Sequence, residues 1–477
     1  MEKQHLFDYL EQRKDEFFAF SDYIWAHPEQ GFQEVKSAKA FVSFLQQEGF
    51  LVETGVGGMP TAFIAEFGEG GAVIGLLAEY DALPDLSQVG ACAVKRPADG
   101  MTDGHGCGHN LLGTASLSAA VAIKNYLQQE KIPGRIRLYG TPAEESGSAK
   151  VYLVRDGYFD DVDAVIAWHP DNMNYMVPSS LLAIIKLKWS FTGKAAHASM
   201  CPQQGRSALD AVTLMNLGTE FLREHMPDGT RIHYTISDGG GAYPNVVPDH
   251  AEVVYMIRAP HITDCKYLLE RLRKIARGAE LMTETISSET IITSMAEMLP
   301  NLTFDKLVHQ NFEALGPTPF DKADIAFANE IRATLSPEQL LADQKRMYTI
   351  MGQQTGAEIA EKLKDKPISD FVYPYVYPTG IMYGSTDVGD VSQVVPVSQF
   401  STCCFPQGTP NHTWQIVSCA VSDLAHHAML HAGKLMASCV FDLLNDASLR
   451  TAIRQEFLSR RNGTIYKTLL PADKKPC

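Results

Sequence analysis

The sequence predicts an α/β fold, a mostly parallel sheet layered with helices, into which a smaller α+β unit is inserted. Three observations lead there. Short unbroken apolar runs alternate with helical patterns over the first 170 or so residues, and near Ile184 the texture changes to alternating strands and two long helices. An isolated histidine, His412, then lies far downstream and must return to a site begun near residue 107. A strand buried on both faces reads as a continuous apolar run, and such runs alternating with helices mark parallel β-α-β units.

Taken in order, residues 35–48 carry apolar positions at helical spacing and stop at Gly49. Ala72 to Ala78 (AVIGLLA) is the first buried strand, Leu111 to Leu127 a helix, Arg135 to Tyr139 the second strand and Ala164 to Trp168 the third. Ligands collect at the carboxyl ends of strands in such sheets. Glu79 and Asp81 follow the first strand, Glu144 and Glu145 the second, and His169 the third. Beyond Ile184, Ile185 to Phe191 alternates, Gly205 to His225 is a long amphipathic helix, and Ile232 to Ile236 and Ala251 to Ile257 are strands. Thr263 to Ala279 is helical and Glu284 to Thr293 strand-like, completing two β-α-β passes and an antiparallel sheet. The expected division is 1–185 and 299–477 for the two parts of the larger domain and 186–298 for the insert. Residues 318–380 show few periodic runs and a Tyr/Pro-rich stretch (YPYVYP), and yield no element; Ile416 to Leu444 reads as one long helix on the sheet.

The 477 residues suffice for two or three domains with proper cores, and 45% hydrophobic with 20% charged residues is an ordinary globular balance. A net charge of −15 argues against nucleic acid and anionic membrane as partners, because both need a basic face, but leaves small anionic substrates open. The first fifteen residues are polar and of mixed charge rather than a secretory leader, and no apolar stretch is long enough to span a bilayer. Nine scattered cysteines fit reduced thiols, so a cytoplasmic location is expected, with Cys403 and Cys404 as buried small hydrophobes.

The chemistry centres on Gly104-His-Gly-Cys107-Gly-His109-Asn110. Glycines alternate with Cys107 and His109, so a thiolate and an imidazole can turn toward one cation while the backbone follows closely. Alone, the run reads better as a glycine-rich loop; its company shifts the balance. Glu144 and Glu145 are adjacent, so their side chains diverge, one able to bind a metal and the other to move a proton. His169 and His412 are the further imidazoles, against the plainer readings of a core histidine and a solvent-facing loop histidine. His426, His427 and His431 are rivals without a glycine-rich approach, and read as helix residues. Asp81 is expected to orient a ligand histidine, and Glu79 either to do the same or to bind directly. In the insert, His197 and Asn245 lie in glycine-bearing loops, where they can stabilise an oxyanion if that unit closes over the metal. Arg258 can pair with a substrate carboxylate. Their plainer readings are a solvent-facing imidazole, a turn amide and a surface ion pair.

Glu79-Tyr-Asp-Ala-Leu-Pro84, Gly-His-Gly-Cys-Gly-His-Asn-Leu-Leu-Gly-Thr-Ala over 104–115 and Ser-Thr-Asp-Val-Gly-Asp-Val-Ser over 385–392 resemble the M20 metallopeptidases. The likeness is to the amidohydrolase branch with its His-x-Cys-Gly-His motif, and it runs over nearly the whole chain. The resemblance implies a zinc-peptidase-like catalytic domain holding two divalent cations, zinc or manganese, and an inserted lid that dimerises. It implies Cys107, His109, Glu145, His169 and His412 as metal ligands and Glu144 as the general base and acid, with Asp81 in support. His197, reaching over from a dimer partner, and Asn245 would hold substrate or oxyanion. The implied reaction is hydrolysis of a small anionic amide, an N-acyl amino acid, with p-aminobenzoyl-glutamate the leading substrate. A dipeptide substrate and a non-catalytic role in a heteromer with a homologous chain are the alternatives. Two departures stand out: Asn110 replaces the usual aspartate, and Ser385–Asp390 replaces a Glu-Asp-Phe element.

Overall fold

The computed structural model describes residues 2–177, 180–376, 381–382 and 384–476. In chain order the strands are β1 (Leu51–Thr54), β2 (Phe63–Glu69), β3 (Val73–Ala78), β4 (Gly134–Gly140), β5 (Ala164–Asp171), β6 (Tyr175–Met176) and β7 (Ser180–Leu181). They continue with β8 (Ala183–Thr192), β9 (Arg231–Asp238), β10 (His250–Ala259), β11 (Ile286–Met295), β12 (Ile381–Met382) and β13 (Val397–Cys403). A seven-stranded sheet runs β1-β2-β4-β3-β5-β13-β6 and a four-stranded one β11-β8-β10-β9, while β7 and β12 pair by themselves. The large sheet is parallel through β4, β3, β5 and β13, with antiparallel strands at both ends.

Burial explains this arrangement. Every residue of β3 and of β13 is buried, so both faces of the sheet centre need cover. Ile74 and Leu76 pack with the helices His109–Glu130 and Asp423–Asn445, whereas Val73 and Leu77 on the opposite face pack with Ala149–Arg155. Each buried Leu or Ile contributes roughly 1.5–3 kcal/mol through apolar surface removed from water. Two helices far apart in sequence, one opening at His109 and one carrying His426, His427 and His431, therefore converge on one sheet.

The second sheet is antiparallel throughout. Residues alternate along β8, where Leu187, Trp189 and Phe191 face the helices Ala208–Leu222 and Ile262–Thr283. Its edge strand β9 is exposed at all but one position, including Tyr234 and Ile236.

Three expectations need correction. The helix expected over 205–225 begins at Ala208, because the Ser207 side chain caps it by accepting from Asp210 N. The single helix expected over 416–444 is two, Trp414–Cys419 and Asp423–Asn445, and Ser422 caps the second by accepting from Ala425 N. Residues 318–380 contain three helices, Lys322–Arg332, Pro337–Met351 and Gln353–Leu363. The first two open with capping boxes, Asp321 with Asp324 and Ser336 with Gln339, a signal legible in the sequence. Of the Tyr/Pro-rich stretch, 377–378 lie outside the described residues.

Candidate metal centre

The site is assembled at the carboxyl ends of β3, β4 and β5. Past β3, Asp81 is buried and uses both oxygens: Oδ1 lies 2.8 Å from His109 Nδ1, and Oδ2 accepts from the backbone N of Glu145 at 3.0 Å. Past β4, Ala143 adopts φ 56°, and buried Glu34 secures it by accepting from Ala143 N at 2.8 Å and Thr61 Oγ1 at 3.0 Å. That bend sends Glu144 and Glu145 in different directions. At the end of β5, His169 places Nδ1 2.7 Å from the carbonyl of Pro170, so Nδ1 donates and Nε2 carries the lone pair, 3.4 Å from Cys107 Sγ.

The glycines bring the distant parts together. Gly108 has φ 74°, and a Cβ there would meet Pro170 Cγ at 2.9 Å, so glycine admits the loop against β5. The backbone N of His412 donates to Gly106 O at 2.9 Å, docking the downstream loop on the glycine run. His412 Nε2 then lies 3.2 Å from Glu145 Oε1.

Among the described residues three groups of potential donor atoms result, each with its atoms within 4.8 Å of one another: Cys107 with His109 and His169, Cys107 with Glu145 and His412, and Glu79 with His109 and Glu144. Cys107 is common to the first two and His109 to the first and third. His109 Nε2 and Glu145 Oε1 are buried without an aligned hydrogen-bond partner, although Glu79 Oε2 approaches the former to 3.3 Å and His412 Nε2 the latter to 3.2 Å. A thiol, imidazole lone pairs and several carboxylates converging with so few donors among them fit divalent cations.

Electrostatics point the same way. Burial pushes the Cys107 thiol well up, a cost that a bound cation removes by stabilising the thiolate. Burial and the neighbouring His109 lower His169, favouring the neutral imidazole that ligates. Burial opposes charge on Glu145, but the contact with His412 and the charge of His109 prevail and hold it at about 2. Glu144 goes the other way, raised well above the carboxylate range by burial and by Glu79 and Asp387. Two adjacent carboxyls are thus set apart by their surroundings.

The remaining candidates are distributed as follows. His197 and Asn245 are exposed and sit on facing loops, joined by Ala198 N to Asn245 O at 3.0 Å. His197 Nδ1 accepts from Met200 N at 3.2 Å, leaving Nε2–H as an outward donor. Arg258 Nη1 donates to Ser385 Oγ at 3.3 Å, a contact between the second sheet and the 385–390 segment. His426, His427 and His431 stay out of the cluster, engaged by Asp22, Asp324 and the carbonyl of Gly316. Asn110 donates to Ser21 Oγ and Ala420 O, a structural use of the residue that replaces the usual aspartate. The sequence reading missed Glu34, Lys150 and the proximity of Asp387, because partners 109 and 237 residues away leave no local pattern.

The chain belongs to the M20 family: residues 75–334 match the model of peptidase family M20/M25/M40. It is an M20 amidohydrolase, an enzyme class that acts on amide bonds. Over 469 residues, 98% of this chain and 97% of the relative, it is 42% identical to a p-aminobenzoyl-glutamate hydrolase subunit of Escherichia coli. It is 27% identical to the Xaa-Arg dipeptidase of Mus musculus across 95% of this chain and 92% of that protein. The fold matches the crystal structure of a Bacillus subtilis protein described as a dinuclear metal binding peptidase from family M20, with a TM-score of 0.57 at 16% identity over 91% of this chain and 99% of that one. Among the described residues no helix is long and apolar enough to cross a membrane.

Proposed function

We propose that this chain hydrolyses the amide bond of an N-acyl amino acid, with p-aminobenzoyl-glutamate as the leading substrate. The observation that carries the proposal is the divergence of two adjacent carboxylates, Glu145 grouped with Cys107 and His412, and Glu144 with Glu79 and His109. Cys107, His109, Glu145, His169 and His412 are the proposed ligands of two divalent cations, zinc or manganese. Bound there, the cations would supply positive charge that polarises an amide carbonyl and acidifies water. Glu144 takes the proton of the attacking water and returns it to the departing nitrogen. Asp81 holds the His109 ring and the Glu145 backbone in register. In this reading residues 186–298 act as the lid, His197 Nε2–H of a second copy donates to the developing oxyanion, and Asn245 and Arg258 hold the substrate.

The substrate assignment is supported by the name of the 42% identical relative. The dipeptidase relative favours an aminoacyl-amino acid as the second reading. The 42% identical relative is itself named as one subunit of its hydrolase, which raises assembly with a homologous chain as well as a homodimer. A panel of acyl-amino acids and dipeptides, assayed on the chain purified alone with zinc or manganese, tests all of these. Turnover of p-aminobenzoyl-glutamate above the other amides is expected. Absence of both metal and turnover in the isolated chain would leave it with a binding role only.

A further inference from the structure

The acidic Ser385–Asp390 segment contributes no donor atom to the metal-ligand groups found among the described residues. What it holds is a cation. Lys150 lies in the first turn of the helix Ala149–Arg155, directly after the loop bearing Glu144 and Glu145, and its side chain is fully buried. Its Nζ lies 2.6 Å from Asp387 Oδ1 and 2.7 Å from Glu79 Oε1, while its backbone N donates to Asp387 Oδ2 at 3.0 Å. The second oxygen of Glu79 is the one 3.3 Å from His109 Nε2, the ring nitrogen left free once Asp81 has taken Nδ1. Contacts therefore run in line from Asp387 through Lys150 and Glu79 to a proposed metal ligand.

A buried ammonium persists only when carboxylates compensate it. Asp387 alone, bound by side chain and backbone together, meets that need. The bond to Glu79 does something more, because Glu79 also belongs to the donor group with His109 and Glu144 and is within reach of a cation at His109 Nε2. Tethered at Oε1, it has one orientation, with Oε2 beside His109 Nε2; untethered, it can swing further toward the cation and compete with Cys107 and His169.

We infer that Lys150, anchored by Asp387, is a positioning residue of the metal centre that fixes the Glu79 carboxylate beside His109. This rests on the proposed metal site but not on the proposed substrate. The same segment braces the junction of the two sheets: Ser385 receives Arg258, and Asp390 Oδ2 accepts from Ala296 N at 2.9 Å, just beyond β11.

The test is cobalt(II) substitution of the full chain, read by visible absorption and by cobalt affinity, with kcat and KM measured beside it. Lys150→Met removes the tether. Lys150→Met/Asp387→Leu removes the pair together, so that no anchor carboxylate is stranded if the single variant folds poorly. Both are expected to shift the cobalt ligand-field bands and to change cobalt affinity by about 10- to 100-fold, the usual scale for residues that orient ligands. In both, kcat should fall while KM stays within about threefold. Adding Glu79→Gln to Lys150→Met should return the spectrum toward wild type, because the competing carboxylate is gone. An unchanged spectrum and affinity in folded Lys150→Met/Asp387→Leu, with only a lower melting temperature, overturns the inference. Cobalt binding by a wild-type chain that cleaves no acyl-amino acid would defeat the substrate reading while the spectra still decide the role of Lys150. A wild-type chain that binds no cobalt overturns this inference together with the metal reading.

Discussion

The carboxyl ends of β3, β4 and β5 and the loops of the second sheet are built on opposite principles. At the first, four of the five proposed ligands are held by a neighbour: His109 by Asp81, His169 by the Pro170 carbonyl, the Glu145 backbone by Asp81, and the His412 backbone by Gly106. At the second, His197 and Asn245 stand exposed, with contacts within and between their own loops. The first is held by contacts within the chain; in the proposed function the second is completed by another surface. The exposed edge strand β9, with Tyr234 and Ile236 outward, and exposed Leu217 and Phe221 on the helix Ala208–Leu222, offer such a surface to a second chain.

The sharpest way to break this contrast is Glu144→Ala. With the ligands untouched, kcat should drop about 10³-fold, within the range general base catalysis supplies, while metal content by elemental analysis stays at the wild-type value. Metal loss in that variant would place Glu144 among the ligands instead. Next in size, His197→Ala should lower kcat about 100-fold or more, as loss of an oxyanion donor does, again with metal retained. If the donor comes from a second copy, mixing inactive His197→Ala and Glu144→Ala proteins restores activity, and Ile236→Asp on β9 yields inactive monomers by light scattering. Failure of the mixture to recover while dimers form would put His197 in its own chain's site.

Asp81→Asn tests the organised side, weakening metal binding about 10- to 100-fold as measured by chelator competition. The smallest expected effect concerns stability. Asp305 is buried beneath β13, accepting from Ser398 Oγ at 2.7 Å, and burial raises its pKa from 3.8 to about 7. A carboxyl raised in the folded state stabilises below its unfolded pKa, and that contribution is lost as pH climbs from 3.8 through about 7. Melting temperature should therefore fall across this window, and Asp305→Asn should flatten the fall. An equally steep profile in the variant would assign the pH dependence to other groups.

Much of the architecture was legible because its signals are local. The unbroken apolar run at 72–78, the alternation in 185–191 and the Gly-Cys-Gly-His spacing each state their structure within a few residues. The first two helices of 322–363 were legible too, through capping boxes that hydrophobic periodicity alone overlooks. The break at Ala420–Ser422 was harder to see, since one serine cap divides an otherwise continuous helical pattern.

By itself the sequence determined the kinds of donor atom, their placement after strands, the division into two textures and the family. Only the tertiary structure decided which residues share a point in space. It set Glu144 and Glu145 apart through the bend at Ala143, brought His412 onto Gly106, and buried Lys150 between Glu79 and Asp387. The reason is physical. Backbone periodicity and turn chemistry act over a few residues, whereas burial, charge pairing and ligand convergence depend on distances across the folded chain. A lysine read along the sequence is one more surface charge; enclosed by two carboxylates, it becomes part of the metal centre's frame.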